Sequence, residues 1–217
     1  MRRDLITALI ATLAFTLLLG VAYPLAVTGV ARLAMHDRAS GSILERDGTV
    51  VGSRLVAQAF DRAVLDGSGE PERDSDGAVL REPDPHYFQP RPSQTGYAAN
   101  GSGFLNLGPN QRELADLYAA RRDAYLALEG PYDPSLDAGR VPVDAVTNSG
   151  SGIDPHVSVA NARIQARRVA AERGADLDRV LDLVAEHTTS RAFGIFGERG
   201  VNVLELNLDL DEELPVR

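Results

Sequence analysis

Cysteine and lysine are both absent from this sequence of 217 residues. Without cysteine the chain has no disulfide, no Cys-ligated zinc site and no thiol nucleophile. Without lysine it has no Walker-type phosphate-binding loop, no Schiff-base chemistry and no Ser–Lys catalytic dyad, since each requires an ε-amino group. All 22 basic residues are therefore arginine.

Positive charges are outnumbered, with 22 basic residues against 31 acidic ones, and the net charge of the chain is −9. Residues 1–31 carry two Arg and one Asp, so the remainder of the chain carries −10. Nucleic acids and anionic lipid surfaces are bound through basic patches. The charge balance therefore predicts that nucleic acid is not a partner, and it is compatible with an acidic domain that lies near cations.

A stretch of 27 residues, 5–31, carries no side chain that is charged at neutral pH. A helix needs about 20 mostly apolar residues to cross a bilayer, whereas the apolar region of a signal peptide has only about 7–15. The length therefore favours an uncleaved membrane anchor formed by residues 1–33. The alternative, a binding protein secreted after cleavage, stays open. A very short N-terminal segment and a large acidic remainder favour an extracytoplasmic position for residues 34–217.

Small residues recur at every fourth position of the predicted span. They are Ala8, Thr12, Thr16 and Gly20, and Pro24 continues the row. Small side chains at this spacing let two membrane helices approach closely, so the row predicts a helix-packing face. Pro24 is expected to kink or end the regular helix, because proline lacks the N–H that the helix would use.

Strand signals in residues 34–217 alternate with helix signals and predict one α+β (mixed α/β) soluble domain. Residues 42–60 indicate strands around a turn at Gly48. The segment 61–85 has eight acidic residues against three Arg, which predicts an exposed acidic loop or insertion with a small hairpin between 63–65 and 78–80. Two further strands are expected, at residues 141–146 and 201–210.

Three helices are predicted from their capping residues. Asn110, with Glu113 three positions later, fits the start of a helix that ends before Gly130. Ser158 is expected to cap a second helix that ends before Gly174, and Asp176 is expected to cap a third.

Residues around 149–156 offer candidates for chemistry of three kinds. Ser149 or Ser151 near Asp154 and His156 would suit a tethered hydrolase, but the alternating glycines of a nucleophile elbow are missing. The four His have no i, i+4 pair, so no metal site is predicted. Backbone N–H groups of a glycine-rich turn can hold an anion, which makes this turn a candidate for nucleotide binding. The nucleotide candidates are Ser149, Gly150, Ser151, Gly152, Gln165 and Arg168.

Several ordered motifs resemble the family of the C subunit of the Kdp potassium-transporting ATPase, KdpC. The sequence VPVDAVTNSGSGIDPH at 141–156 resembles the most characteristic motif of that family, and YFQPRPS at 87–93 resembles its aromatic–Arg-Pro-Ser motif. The segment VNVLELNL at 201–208 resembles its closing segment. The interaction residues that the resemblance implies are Tyr87, Phe88, Arg91, Pro92, Ser93, Asp154, Pro155, His156 and Asn202.

This resemblance implies an accessory, non-catalytic subunit in the cell membrane of a prokaryote. The expected partners are a channel-like potassium-binding subunit, a P-type ATPase subunit and a small membrane peptide. Such a subunit is described as a catalytic chaperone that raises the affinity of the ATPase subunit for ATP, without binding ATP tightly itself. An extracytoplasmic domain cannot reach cytoplasmic ATP, so the alternative is a domain that braces the K⁺ entrance of the channel-like subunit.

Overall fold

The structure is a computed structural model that describes residues 1–191 and 193–216. The chain forms two compact units, Met1–Ser53 and Arg54–Arg217, and each is described by itself. The predicted division into 1–33 and 34–217 stays a prediction, and Ala192 and Arg217 of the predicted domain lie outside the described residues. A single apolar helix combined with a soluble domain of mixed helices and strands confirms the predicted fold class.

The apolar stretch of the first unit is one long helix with an irregular centre. Helix α1 spans Arg2–Leu17, a π-helical turn spans Leu18–Ala22, and helix α2 spans Tyr23–Ala34. Within the part of the chain that the structure describes, this is the one helix long and apolar enough to cross a membrane, and none of it is buried.

The π-helical turn explains how the helix passes Pro24 without ending there. The N–H of Tyr23 donates to the carbonyl of Leu18, five residues back. This wider turn lets the chain continue past a residue that has no N–H of its own. Gly20 lies inside the wide turn, so the regular four-residue spacing holds for Ala8, Thr12 and Thr16 and changes beyond them.

The rest of the first unit is a short helix followed by a hairpin. Helix α3 spans His36–Ala39, and strands β1 (Ile43–Arg46) and β2 (Thr49–Ser53) pair antiparallel. Gly48 has a φ of +73° between them, which glycine adopts without steric cost. The predicted turn at Gly48 is confirmed.

The acidic segment of the second unit is an exposed hairpin. Strands β3 (Asp61–Ala63) and β4 (Arg81–Pro83) pair antiparallel, and the N–H of Val64 donates to the carbonyl of Leu80 at 3.0 Å. The predicted hairpin is confirmed in the pairing of Val64 with Leu80, whereas Leu65 pairs with Pro71 and Val79 pairs with Arg73.

The core of the second unit lies between three helices and a small sheet. The helices of this unit are α4 (Arg112–Glu129), which a 3₁₀ turn (Gly130–Tyr132) follows, α5 (Val143–Val146), α6 (Val159–Arg173), α7 (Leu177–Glu186) and α8 (Val203–Glu213), and the last three enclose the core. The strands β5 (His156–Ser158), β6 (Thr188–Thr189) and β7 (Gly200–Asn202) pair antiparallel in the order β5-β7-β6. Helices α6, α7 and α8 bury Val169, Leu183 and Leu206, around the fully buried Phe88.

The predicted closing strand at 201–210 is wrong beyond Asn202. The side chain of Asn202 accepts a hydrogen bond from the N–H of Glu205 at 3.2 Å and starts helix α8. Val203, Leu206 and Leu210 then bury one helical face. The alternating leucines are therefore also compatible with a helical period, and the Asn cap decides between the two.

Two smaller predictions are also wrong. The predicted strand 141–146 is the single turn α5, because Pro142 holds an extended conformation just before it and its carbonyl accepts from Ala145. Helix α4 begins at Arg112 rather than after Asn110, because Gln111 holds the extended N-cap conformation. The predicted caps Ser158 and Asp176 are confirmed, as is the left-handed Gly174 at the end of α6.

Candidate functional site

The extended backbone of the aromatic–Arg-Pro-Ser motif forms hydrogen bonds with side-chain amides. In a sheet, the backbone of a neighbouring strand would supply these hydrogen bonds. The N–H of Phe88 donates to Asn207 Oδ1 at 2.9 Å, and Asn207 Nδ2 donates to the carbonyl of Phe88 at 2.9 Å. Gln165 pairs with the backbone of Gln89 in the same two-way manner, at 2.7 and 3.1 Å. Helices α6 and α8 thereby fix the extended motif between them.

Arg168 lies fully buried beneath the extended strip formed by residues 85–89. Its Nε donates to Glu129 Oε1 at 3.0 Å, and its two terminal nitrogens donate to the carbonyls of Pro85 and Tyr87 and to Gln165 Oε1. Burial raises the pKa of the Glu129 carboxyl, and the charge of Arg168 opposes that rise. Because Glu129 is 1% exposed, each charge depends on the other for compensation.

Arg173 closes the end of the strip nearest α8. Its Nε donates to the carbonyl of His86 at 2.7 Å, its NH2 group contacts Asp211 Oδ1 at 2.9 Å, and its guanidinium lies 4.7 Å from the centre of the Tyr87 ring. The roles of Arg173, Glu129 and Asn207 were not predicted from the sequence. An arginine at the end of a predicted helix is ordinarily solvated, so no local signal distinguishes it.

The Ser-Gly-Ser-Gly turn is bonded directly to the same motif. Ser149, which is buried, donates its N–H to the carbonyl of Pro92 at 3.0 Å, and Ser93 Oγ donates to the carbonyl of Gly152 at 2.6 Å. The hydroxyl of Ser149 accepts from the N–H groups of Gly152 and Asp154. Two motifs more than fifty residues apart in sequence therefore form one rigid unit.

Arg91, Asp154 and His156 come together on the exposed side of this unit. Arg91 donates to the carbonyl of Asn148 at 3.1 Å, and its NH1 group lies 3.7 Å from Asp154 Oδ2. The N–H of His156 donates to Asp154 Oδ1, and Pro155 between them holds the tight turn. His156 pairs with Asn202 across β5 and β7.

A cleft of about 370 Å³ opens beside these three residues. Its wall is completed by residues from β5 and from the hairpin that joins β6 to β7, and both charge signs are present. The lining residues include Arg91, Asp154, His156, Ser158, Thr189 and Arg199. Such a surface suits the polar rim of a protein contact.

Asp154 gives this cleft a pH dependence. Burial raises the pKa of Asp154. Hydrogen bonds from the side chain and backbone of His156, together with the charges of His156 and Arg91, lower it by a larger amount, so the pKa lies below its usual value. The unfolded chain then takes up a proton at higher pH than the folded domain does. Stability that is present above about pH 4 is therefore lost as the pH falls through the folded pKa.

The Asp154→Asn variant should flatten this acid dependence. We expect the urea midpoint of Asp154→Asn to fall less steeply than that of the wild type between about pH 5 and pH 3, because the proton uptake linked to unfolding is removed. Asp182→Asn, at an exposed carboxylate on α7, is the control and should keep the wild-type slope. Equal slopes for the wild type and Asp154→Asn would contradict the assignment.

The predicted nucleotide residues do not form one exposed surface. Gln165 and Arg168 are buried under residues 85–89, whereas Ser151 and Gly150 lie at the rim of the turn. In the part of the chain that the structure describes, no group of three His, Asp or Glu could hold a metal ion. The nucleotide assignment stays a prediction.

Comparison with known proteins places these motifs in one family. The family model described as "KdpC: K+-transporting ATPase, c chain" matches residues 5–212. The chain belongs to the KdpC family. It is 50% identical over 219 residues to a "Potassium-transporting ATPase KdpC subunit" of Rhodospirillum rubrum, which covers 100% of this chain and 99% of that protein. Subunits with the same description from Mycobacterium tuberculosis and Koribacter versatilis are 44% and 40% identical, over 97% and 100% of this chain.

Membership of the KdpC family confirms the resemblance seen in the motifs at 87–93 and 141–156. It identifies the chain as a subunit of a potassium-transporting ATPase complex, in which it has partner subunits. The exposed apolar helix Arg2–Ala34 indicates that this subunit is anchored in a membrane.

Proposed function

We propose that this KdpC-family chain is a non-catalytic subunit that assembles and stabilises the transport complex. The observation that carries this proposal is the bonding of the motif at 87–93 to the turn at 149–152. Their mutual hydrogen bonds produce a rigid surface of charged groups, Arg91, Asp154 and His156, beside an open cleft. A rigid surface with both charge signs is suited to specific protein contacts.

The hydroxyl groups near this cleft support a structural role. Ser149 Oγ and Ser151 Oγ lie 3.2 Å apart, and each accepts from backbone N–H groups of the turn. The His156 Nδ1 atom is engaged with Asp154 rather than with either serine. A hydrolytic nucleophile needs a base within hydrogen-bond reach, so the tethered-enzyme alternative has no support from these contacts.

The partners that we propose are a channel-like potassium-binding subunit, a P-type ATPase subunit and a small membrane peptide. The net charge of −10 beyond residue 31 supports an extracytoplasmic domain that braces the K⁺ entrance, because an acidic surface attracts cations. A reporter enzyme fused after Arg217 tests this side of the membrane. Activity of a periplasm-dependent reporter is the expected result, and activity of a cytoplasm-dependent one would contradict it.

The finer role of raising the ATP affinity of the ATPase subunit is a separate proposal. Direct contact through Gln165 or Arg168 would require their buried hydrogen bonds to open, since both side chains are at most 2% exposed. An effect transmitted through assembly requires no such opening. We therefore propose that any change in ATP affinity reaches the ATPase subunit through subunit contacts.

The Gly20→Leu substitution tests the proposed packing face of the membrane helix. An added side chain at Gly20 has room within this chain, where the nearest atom, Thr16 Cγ2, is 3.9 Å away. We expect about tenfold weaker retention of the ATPase subunit in mild detergent, because leucine prevents close approach of a second helix. Gly29→Leu is the matched control, since Gly29 lies in the same span but outside the row. Equal retention of the ATPase subunit by both variants would show that the helix only anchors the chain and does not pack through this row.

A further inference from the structure

The tip of the hairpin between β6 and β7 exposes three large apolar side chains. Phe193 is 94% exposed, Ile195 is 73% exposed and Phe196 is 67% exposed. By contrast, Phe88 of the same unit is completely buried. Burial of a large apolar side chain is favourable by about 1.5–3 kcal/mol, and none of these three contributes that energy to the folding of the unit.

The backbone of this tip adopts conformations that its sequence does not favour. Phe193 has a φ of +54°, in the left-handed region where bulky side chains are rare, and the following Gly194 has a φ of +76°. The N–H of Gly194 donates to the carbonyl of Arg191 at 3.0 Å, and Arg191 forms an ion pair with Glu198 at 3.4 Å. The ion pair between Arg191 and Glu198 thus joins the two sides of the loop, while the rings of Phe193 and Phe196 stay exposed to solvent. Backbone strain of this kind is concentrated at functional sites.

We propose that Phe193 and Phe196 are the anchors by which this chain docks onto another protein subunit of the complex. This inference rests on the proposed function, because it names a contact surface of the same subunit. These anchors enter an apolar pocket on the partner subunit, and an acidic group lies at the edge of that pocket. Large aromatic anchors surrounded by a polar rim are the usual composition of a strong protein contact.

Charge determines the choice between a protein pocket and a lipid surface. Arg199 is exposed and forms no ion pair or hydrogen bond within the described residues, so it is free to meet an acidic group. The remaining chain carries −10 beyond residue 31, and an anionic bilayer would repel it. A protein partner can place one acidic group opposite Arg199 without presenting a uniformly negative surface to the rest of the acidic domain.

The apolar tip is also continuous with the charged cleft. Thr189, Glu198 and Arg199 of the hairpin line that cleft together with Asp154 and His156. One partner surface can therefore cover the aromatic anchors and the cleft in a single contact. Since His156 pairs with Asn202 in the sheet, the hairpin reaches the partner from a fixed base.

The experiment compares complexes formed by full-length variants in mild detergent. In the Phe193→Ser/Phe196→Ser variant, retention of the ATPase complex should fall about tenfold or more, because truncated anchors of this kind dominate binding. The Phe104→Ser variant is the matched control, since Phe104 is 61% exposed in the same unit, and it should assemble as the wild type does. Arg199→Glu is the second variant and should weaken assembly without any change in apolar surface. Thermal unfolding of each isolated chain verifies that the fold is retained.

Four outcomes are distinguishable. Selective loss of assembly in the double serine variant and in Arg199→Glu supports the proposal. Wild-type assembly by both variants overturns it and leaves the proposed function intact. If the double variant assembles normally and the fluorescence of a Phe196→Trp chain, whose sequence has no other tryptophan, is quenched by brominated lipid in phosphatidylcholine–phosphatidylglycerol vesicles, the occupant is the membrane and the proposal is overturned. If the wild type itself does not assemble, the proposed function fails.

Discussion

Replacing Arg168 by methionine should lower the free energy of unfolding of the second unit by about 3–5 kcal/mol, the usual result of breaking one partner out of a buried ion pair. The substitution leaves the Glu129 carboxylate, which is 1% exposed, without its counter-charge. It also removes the donors to the carbonyls of Pro85 and Tyr87. The motif that contributes Arg91 and Ser93 to the site would then lose part of its support.

Urea unfolding of the wild type, Arg168→Met and Arg163→Met measures this effect. Arg163 is on the same helix α6 but exposed, so Arg163→Met should change the free energy of unfolding by less than about 0.5 kcal/mol. A double variant, Arg168→Met with Glu129→Leu, should recover part of the loss, because no lone charge remains buried. A single Arg168→Met variant as stable as Arg163→Met would show that the buried pair is not important to the fold.

Replacing Gly152 by alanine should destabilise the turn that joins the two motifs. Gly152 has a φ of +76°, and a Cβ atom there would lie 2.7 Å from the carbonyl oxygen of Gly103 and 2.9 Å from Thr95 Oγ1. The left-handed conformation and the enforced shift of backbone together predict a loss of about 2–4 kcal/mol. The hydrogen bond from Ser93 Oγ to the Gly152 carbonyl would be displaced as well.

Gly150→Ala in the same turn is the matched control. A Cβ atom at Gly150 meets nothing within 4 Å, and its φ is not in the left-handed region. Chemical denaturation should therefore separate the two variants clearly, and assembly of the complex should fall only for Gly152→Ala. If both variants have the same midpoint, the close approach to Gly103 does not constrain the turn.

The sequence was sufficient to predict the parts of the fold that depend on neighbouring residues. Ser158, Asp176 and Gly174 end or begin helices through local hydrogen bonds and backbone preference, so their roles were predictable. The helix after Asn202 was mistaken for a strand because its leucines satisfy both the two-residue and the helical period. Local pattern alone could not reveal that the Asn202 side chain caps that helix.

The candidate site was predictable only in part, because many of its contacts join residues that are far apart in the sequence. Arg91, Asp154 and His156 belong to recognisable motifs, and the structure brings them together. Gln165 and Arg168 were predicted as nucleotide-binding candidates, and their burial could not be predicted because their partners, Gln89 and Glu129, are far away in sequence. Two-way amide bonds between helices and an extended strip have no periodic signature in the sequence.

Whether this chain works as a bound, non-catalytic subunit is tested most directly by its removal from the complex. The full-length tagged chain is purified in mild detergent from cells grown at limiting K⁺, and K⁺-stimulated ATP hydrolysis is measured with and without it. The expected result is that the chain elutes with the ATPase subunit and that hydrolysis falls when it is omitted. A chain that elutes alone, with hydrolysis unchanged by its omission, would contradict the proposed function.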